Sequence, residues 1–522
     1  MSTGHVCVIG GGAAGSAMAL RLARHHVRVT VIETGPWYTD EEKSRLFEGV
    51  KNGTIRGNPY RLKEPSIAAY RSGGSHEIAL DADRVRAVGG STMHWLGNCP
   101  RLLPDDFRMH TRFGLAADWP IGYEELEPYY VQAEREIGVA GAGDNPFAGP
   151  RSAPYPMPPL PLSYGDKVLK RVTDPLGLDF HHTPQARNSI EYGGRSACQA
   201  CAYCHVCPTA ARATFDATHA APARATGLVT FITDSTTLRL ETDASGRVRR
   251  AIYAGLDRTE HALEADLFVV AGGAVETPRL LLLSTNPQFP EGLANRSGLL
   301  GKTFMAHPLV RVEGRVADPV FPYRVGFESL ESFQHYATDT RDEAGAFLIN
   351  LSNTEGPTPS GLVTGSWLWG DDLAGAVRRD FGHTLSLVAQ MEQLPDQQNT
   401  IGLDPDMKDY FGLPVPLVTS GLDEYTRRTR ERATRVLGDI LQAAGATDIG
   451  AAGAGSPGHH MGTTRMGADP ARSVVDPYLR THDVPNLYLV SCGAFVTGGA
   501  ANPTLTLTAL ALRTADHIVR AS

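Results

Sequence analysis

Long apolar runs and an excess of basic charge are both missing from this chain of 522 residues. No run approaches the ~20 apolar residues that a membrane-spanning helix needs. The 49 Lys and Arg against 57 Asp and Glu give a net charge of −8, which argues against general binding to nucleic acid or anionic lipid. Because residues 1–5 run directly into an apolar strand, we expect no signal peptide and a soluble protein, cytoplasmic by default.

Cysteine is also scarce, and most of it lies in one short segment. Four of the seven cysteines fall within ten residues, and we call this stretch the cysteine segment: Cys198, Cys201, Cys204 and Cys207. A secreted disulfide framework would instead spread its cysteines to close long loops. Thiolates this dense suit an iron–sulfur cluster. Zinc is less suitable because zinc sites usually place a longer spacer between two CxxC pairs, but zinc, disulfides and free thiols stay as alternatives.

The N-terminal sequence carries a dinucleotide-binding pattern in its full context. An apolar strand at Val6–Ile9 leads into the glycine-rich turn Gly10–Gly15, which reads G-x-G-x-x-G, and a helix of small residues follows. A second apolar strand then ends at Glu33. The glycines let backbone N–H groups approach a pyrophosphate at a helix N-terminus, and the acid accepts from a ribose hydroxyl. The pattern predicts a dinucleotide site but does not distinguish FAD from NAD.

The length of the chain predicts two or three domains, or one large composite domain. Hydrophobic residues at 42% and charged residues at 20% are typical of a globular chain. We expect helices at 123–137 and 423–444 and a mostly antiparallel sheet within 308–420. Near the C-terminus, Asn502 and Pro503 fit the N-cap and first position of a helix, whose N-terminus could stabilise developing negative charge.

Four blocks, spread in order over nearly the whole chain, together resemble the glucose–methanol–choline (GMC) flavoprotein oxidoreductases. They are the glycine-rich turn with Glu33, a second glycine loop at Gly89-Gly90-Ser91, the stretch 273–281 and the C-terminal segment 459–518. The resemblance implies FAD and the GMC fold. That fold is α/β, with a Rossmann-like FAD-binding domain on a parallel sheet and a substrate domain whose mostly antiparallel sheet is covered by helices. It also implies a discontinuous division, with residues 1–110, 190–307 and 456–522 in the FAD-binding domain and residues 111–189 and 308–455 in the substrate-binding domain.

The same resemblance assigns the chemistry to two residues near the C-terminus. In the family a His lies three residues before a Gly-Thr pair, and a His or Asn follows at the head of the last helix. His459 and Asn502 match this pattern. Oxidising an alcohol removes a hydride from carbon and a proton from oxygen, and a positioned imidazole is suited to taking that proton. We expect His459 to be the base, with His460 as the alternative, and Asn502 to orient the hydroxyl.

The resemblance further implies which residues contact FAD. His94 matches a position that carries a covalent flavin link in some members, although a ring that only packs beside the flavin is favoured. His307 is expected to be a structural hydrogen-bonding residue. The predicted FAD-contacting residues are Gly10, Gly12, Ala13, Ala14, Gly15, Glu33, Gly89, Gly90, Ser91, His94, Gly493, Asn502, Pro503 and Thr504.

The cysteine segment is similar to that of the cluster-bearing branch of the family, although its spacing differs. The cluster type, [3Fe–4S] or [4Fe–4S], and the number of ligating cysteines therefore stay open. With such a cluster, the chain would be a dehydrogenase that oxidises a sugar, glycoside or related alcohol and passes electrons to a cytochrome c or a small subunit. An exported small subunit could carry the chain to the periplasm. The alternatives are an oxidase that uses O₂ directly and a lyase that uses FAD only structurally.

Overall fold

The structure is a computed structural model that describes residues 4–353, 359–365 and 367–521. Within these ranges the strands, in chain order, are β1 (His5–Ile9), β2 (Arg28–Ile32), β3 (Arg71–Gly74), β4 (His181–His182), β5 (Val229–Ile232), β6 (Thr236–Thr242), β7 (Val248–Ala254), β8 (Glu260–Glu264), β9 (Leu267–Val270), β10 (Met305–His307), β11 (Leu309–Arg315), β12 (Leu330–Ser332), β13 (Phe347–Leu351), β14 (Thr384–Met391), β15 (Thr400–Lys408), β16 (Pro414–Ser420), β17 (Thr447–Ala452), β18 (Gly458–Met461) and β19 (Leu487–Leu489). The helices are α1 (Ala13–Arg24), α2 (Asp40–Lys51), α3 (Leu80–Asp83), α4 (Met109–Phe113), α5 (Tyr123–Ile137), α6 (Tyr164–Thr173), α7 (Ala221–Ala225), α8 (Gly273–Leu283), α9 (Pro359–Gly365), α10 (Gly370–Asp380), α11 (Glu424–Ala443) and α12 (Thr504–Ala521).

A five-stranded parallel sheet, in the order β19-β9-β1-β2-β5, holds the N-terminal motif. Its strands are short and mostly buried apolar runs, as is typical of a parallel sheet in an α/β protein. Helix α1 contacts both this sheet and α12. Because β1 ends just before Gly10, the glycine-rich turn lies at the carboxyl edge of the sheet, where ligands bind in open α/β folds.

A six-stranded antiparallel sheet, in the order β17-β11-β14-β13-β12-β4, forms the second layer. Helix α11 packs against it, and Leu385, Leu387 and Leu437 lie in their shared core. The helix begins after Asp423, whose carboxylate accepts from the backbone N–H of Thr426 at 2.8 Å and so satisfies an otherwise unpaired donor. The register places Arg311 opposite Val388 and Leu309 opposite Gln390.

Three smaller sheets complete the described fold: β10-β18, β15-β16-β3 and β6-β7-β8. The predicted α/β GMC fold is confirmed. The division into two domains stays a prediction. Strand β3 falls in the predicted FAD-binding domain and β16 in the predicted substrate-binding domain, and the two strands pair in parallel within one sheet. One local expectation differs, because α12 begins at Thr504, and Oδ1 of Asn502, the atom that would cap the helix, accepts instead from Nε2 of Gln390 at 3.4 Å. Of the helices in the described ranges, none combines the length and the apolarity needed to cross a bilayer.

Candidate active site

A cavity of about 750 Å³ lies between the carboxyl edge of the parallel sheet and the six-stranded antiparallel sheet. The glycine-rich turn and the second glycine loop line one end. The head of α12 and strands β11, β13 and β14 line the other. One cavity therefore contains the predicted cofactor site and the predicted catalytic pair, as hydride transfer between a cofactor and a substrate requires.

The backbone at the first end of the cavity is packed too closely for side chains. Gly10 has a φ of 103°, and a Cβ there would lie 2.7 Å from the carbonyl oxygen of Ala271. Gly90 has a φ of 57°, and a Cβ there would lie 2.9 Å from the Cα of Gly12. The two glycine loops thus meet backbone to backbone, beside the N-terminus of α1. This arrangement fits a pyrophosphate held by N–H groups and a helix dipole.

Glu33 lies buried at the end of β2 and also lines the cavity. Its two carboxylate oxygens accept from the backbone N–H groups of Gly11 at 2.7 Å and of Gly35 at 2.9 Å. Burial raises the pKa of Glu33 to about 7, although these two bonds act in the opposite direction. Each oxygen keeps a further lone pair, so the group can accept a ribose hydroxyl as the sequence predicts. The residues present fit the adenosine diphosphate part of FAD.

Most of the predicted cofactor residues line this one cavity, and a few do not. Gly15 and Gly89 lie behind it, and a Cβ on Gly15 would overlap the carbonyl oxygen of Gly10. Gly493 also lies outside, and a Cβ there would lie 2.7 Å from Oγ1 of Thr464. These glycines allow the surrounding backbone to pack closely. The predicted residues that line the cavity are Gly10, Gly12, Ala13, Ala14, Glu33, Gly90, Ser91, His94, Asn502, Pro503 and Thr504.

His459 is placed in the cavity by an irregular strand. In the ladder between β10 and β18, Met305 pairs with Met461 and His307 with Gly458, so two residues oppose one. Such a bulge redirects a side chain, and His459 there has a φ of 62°, a left-handed conformation that is uncommon for residues other than glycine. Strain of this kind concentrates at functional sites.

The imidazole of His459 lies between two polar partners. Its Nε2 is 3.2 Å from Nδ2 of Asn502, and its Nδ1 is 3.1 Å from Nδ1 of His307. Burial, followed by the neighbouring His307, lowers the pKa of His459 to about 3. The ring is therefore neutral at neutral pH. The structure thus brings together the two predicted catalytic residues, with a third group behind them.

The neighbouring His460 also lines the cavity but contacts other groups. Its Nε2 is 3.2 Å from the carbonyl oxygen of Pro457, and its ring packs against Phe304. Burial lowers its pKa to about 3 as well. In this arrangement His459, and not His460, contacts Asn502.

Comparisons with known proteins place the chain in a family. A model described as GMC oxidoreductase matches residues 395–511, and one described as FAD dependent oxidoreductase matches residues 5–115. The chain is 34% identical to the fructose dehydrogenase large subunit of Gluconobacter japonicus, over 98% of this chain and 97% of that protein. The chain belongs to the GMC oxidoreductase family. It is also 33% identical to 2-methyl-1,2-propanediol dehydrogenase of Mycolicibacterium austroafricanum, over 99% of this chain and 95% of the relative.

A solved structure shows the same GMC fold. Pyridoxine 4-oxidase from Mesorbium loti has a TM-score of 0.65 and 20% sequence identity, and the match covers 98% of both chains. The predictions of a GMC-type, FAD-dependent oxidoreductase are confirmed.

Further polar residues of this GMC protein line the cavity beyond the catalytic pair, and the sequence analysis missed them. Asn98 donates to the carboxylate of Glu328, and Nε2 of Gln185 donates to Oδ1 of Asn98 at 2.5 Å. Burial raises the pKa of Glu328. These residues belong to separate loops and strands that carry no motif, so only the pairing of the antiparallel strands could have indicated them. Those that line the cavity are Asn98, Arg311, Glu328, Asn350 and Gln390.

The four thiols of the cysteine segment are not grouped as a metal site in the described structure. Across residues 4–353, 359–365 and 367–521, no three His, Cys, Asp or Glu side chains are grouped so that they could hold a metal ion. Cys201 is exposed, Cys204 is buried, and Cys198 and Cys207 are half-buried, so the four thiols lie in different surroundings. Their sequence spacing is short, but the loop between them does not bring all four together.

The surroundings of the cysteine segment are nevertheless unusual. The sulfurs of Cys198 and Cys207 accept from the backbone N–H groups of Ala200 and Arg212, each at 3.4 Å. Burial lowers the pKa of the nearby Arg187, but Cys204, Cys198 and Cys207 raise it by more. His205, within the segment, lines the cavity, and its Nδ1 is 3.0 Å from the carbonyl oxygen of His94. The segment therefore lies beside the cofactor end of the cavity.

Proposed function

We propose that the protein is a dehydrogenase that oxidises a CH–OH group of a sugar, glycoside or related alcohol to the carbonyl. The observation that carries this proposal is the pair of His459 and Asn502, 3.2 Å apart, in the same cavity as the glycine-rich turn. We assign His459 as the base and Asn502 as the group that orients the hydroxyl.

Each member of this pair has one part of the proton transfer. A substrate hydroxyl placed between them can donate its hydrogen to Nε2 of His459 and accept an N–H from Nδ2 of Asn502. Because burial keeps the imidazole neutral, its lone pair is available over the whole neutral range. FAD held by the two glycine loops and Glu33 would supply the acceptor for the hydride of the carbinol carbon. His459 takes the proton of the hydroxyl as the C=O bond forms.

The head of α12 adds an electrostatic contribution. Pro503 and Thr504 line the cavity beside Asn502, and the backbone N–H groups of the first turn have no partners within the helix. A helix N-terminus carries about half a positive charge, which favours negative charge nearby. The predicted contacts of FAD with this helix and with the two glycine loops are part of the proposal.

A polyhydroxylated substrate is supported by the far end of the cavity. Asn98, Glu328, Asn350 and Gln390 offer amide and carboxylate groups there, and polar groups inside a cavity discriminate strongly in favour of ligands that satisfy them. The two relatives are named for the oxidation of fructose and of a diol, in agreement with this class.

We also propose that the cysteine segment holds an iron–sulfur cluster. Four thiols in ten residues, two N–H···S bonds and a position beside His94 support this idea, although the cysteines would have to converge around the cluster. A cluster there would supply one-electron transfer to an external acceptor, such as a cytochrome c or a small subunit. The large subunit of fructose dehydrogenase, by its name, has a partner subunit.

An anaerobic screen tests the proposed reaction. The FAD-loaded protein is mixed without O₂ with fructose, other sugars, glycosides and simple diols, and flavin absorbance is followed. We expect a sugar or related alcohol to bleach the flavin and to yield the carbonyl product. Failure of every CH–OH donor to bleach it would contradict the proposal and would favour a lyase.

The acceptor is tested separately, since pyridoxine 4-oxidase shares the fold. A dehydrogenase in aerated solution reduces an added dye with little peroxide, whereas an oxidase forms about one peroxide for each turnover. Iron and acid-labile sulfide are then measured in protein purified without O₂. Absence of both iron and sulfide would refute the proposed cluster but would leave the assignment of His459 as the base unchanged.

A further inference from the structure

The side-chain amide of Gln390, on β14, is fixed by the backbone of the turn that precedes α12. Its Nε2 donates to the carbonyl oxygen of Ala500 at 2.7 Å. A carbonyl oxygen can only accept, so this bond determines which end of the Gln390 amide is the nitrogen. The same nitrogen lies 3.4 Å from Oδ1 of Asn502.

The orientation of Gln390 determines that of Asn502. Because Nε2 of Gln390 is a donor, the side chain of Asn502 must turn its oxygen towards it. If the Asn502 amide were reversed, two N–H donors would face each other. The nitrogen of Asn502 then faces Nε2 of His459, 3.2 Å away. Because Nδ2 of Asn502 can only donate, Nε2 of His459 must carry a lone pair and no hydrogen.

The neutral ring of His459 therefore has its hydrogen on Nδ1. That atom lies 3.1 Å from Nδ1 of His307, which must then be the acceptor. The hydrogen of His307 is left on Nε2, which faces the backbone of Gly498 and Gly499. His307 is also buried, so no water competes for these positions.

We propose that Gln390 and His307 are positioning residues that select the tautomer of His459 in which Nε2 is the bare, proton-accepting nitrogen. The chain of donors and acceptors runs from the carbonyl of Ala500 through Gln390, Asn502 and His459 to Nδ1 of His307. Its first member is fixed by the backbone of the turn before α12, and each later proton position follows from the one before it. The inference rests on the proposed role of His459 and extends it to residues that carry no sequence motif.

The tautomer decides whether the base can work. The other neutral tautomer has its hydrogen on Nε2, where it would repel Nδ2 of Asn502 and could not accept the hydroxyl proton. Replacing His307 by Leu leaves the Nδ1 hydrogen of His459 buried without an acceptor, which favours the wrong tautomer. We expect flavin reduction to slow on the order of 10- to 100-fold.

Two conservative changes make the effect specific. In His307→Asn, a side-chain oxygen can accept near the position of Nδ1, so we expect a rate within about fivefold of wild type. In Gln390→Met, the donor to Asn502 is lost while the volume is kept, and we expect on the order of a tenfold loss. The matched control is Gln334→Met. Gln334 is half-buried, and its side-chain oxygen accepts from the backbone N–H of Asp179 at 3.0 Å, but it lies outside the cavity. We expect its rate per bound FAD to change less than twofold.

Nitrogen NMR of the FAD-loaded protein, labelled with ¹⁵N in histidine, provides a readout that needs no substrate. His459→Ala assigns the signals of that ring. At pH 7 we expect Nδ1 of His459 to be protonated and Nε2 to be bare in wild type and in Gln334→Met, and a mixture of tautomers in Gln390→Met and His307→Leu. Protonation of Nε2 in wild type would overturn the proposal, as would an unchanged tautomer and rate in both variants.

The two proposals fail in different ways. If His459→Ala keeps its rate of flavin reduction, the assigned base is wrong, whatever the tautomer. If His459→Ala loses activity while Gln390→Met and His307→Leu keep wild-type rates, the base stands and the positioning role is refuted.

Discussion

Replacement of Gly90 by alanine tests whether the meeting of the two glycine loops forms the FAD site. In Gly90→Ala the new Cβ would lie 2.9 Å from the Cα of Gly12, and the backbone would have to keep a φ of 57°. A left-handed conformation costs an L-residue roughly 1–2 kcal/mol. Since the obstacle is backbone and cannot rotate away, the forced shift of the loops adds about 1–3 kcal/mol. The left-handed cost falls on folding with and without FAD alike, whereas the forced shift of the loops corresponds to a loss of FAD affinity on the order of 5- to 150-fold.

The assay is FAD content per chain after gel filtration, together with titration of FAD-depleted protein followed by flavin fluorescence. The matched control is Gly298→Ala. Gly298 has a similar φ of 68°, but a Cβ there would meet nothing within 4 Å, and the residue lies outside the cavity. The Gly298→Ala variant therefore carries only the cost in stability of the left-handed backbone, and we expect it to bind FAD like wild type. If Gly90→Ala binds FAD as tightly as Gly298→Ala does, the reasoning from close approach is refuted.

Three further predictions concern pH, the polar end of the cavity and the cysteines. Burial lowers the pKa of His335 to about 4, so the unfolded chain binds more protons below pH 6.5 and the free energy of unfolding falls as the pH drops from 6.5 towards 4. His335→Phe should remove about 1.4 kcal/mol per pH unit from that slope in urea unfolding, and an unchanged slope would contradict the shift. Glu328→Gln should raise the KM of a sugar on the order of 10-fold but hardly that of a simple alcohol, since an amide nitrogen replaces one acceptor oxygen; equal effects on both would exclude a role in sugar recognition. Cys201→Ser should lower the bound iron and sulfide while substrate still bleaches the flavin, whereas unchanged iron would exclude Cys201 as a ligand.

The N-terminal motif could be predicted from sequence because its determinants are local. The turn at Gly10–Gly15, its flanking strands and Glu33 fall within one short stretch, where each residue type is dictated by its neighbours in the chain. Helices α5 and α11 could also be predicted, because apolar residues that recur with the helical period can be recognised in the sequence without knowing which surface the helix packs against.

The contacts around the base could not be predicted, because they join distant parts of the chain. His307 and His459 are 152 residues apart, and only the bulged pairing of β10 with β18 brings their rings together. Gln390 faces Asn502 because of the register of β14 against β11, which no local pattern reveals. The sequence therefore indicated His307 only as a structural residue.

The cysteine segment shows the opposite difficulty. Its spacing is a strong local signal, but a metal site depends on where the sulfurs point. The backbone between them has a left-handed residue at both Ala200 and Ala202, so the chain turns sharply between successive cysteines. Close spacing in sequence did not produce a converging set of ligands.

The rate of flavin reduction in anaerobic His459→Ala, mixed with the best substrate and compared with wild type and with His460→Ala, tests the central claim most directly. General-base catalysis contributes about 10²- to 10⁴-fold, so we expect His459→Ala to be slower by that factor with FAD still bound. His460→Ala, whose ring contacts Pro457 and Phe304 instead of Asn502, should lose much less. Reduction of the flavin at the wild-type rate in His459→Ala would contradict the account.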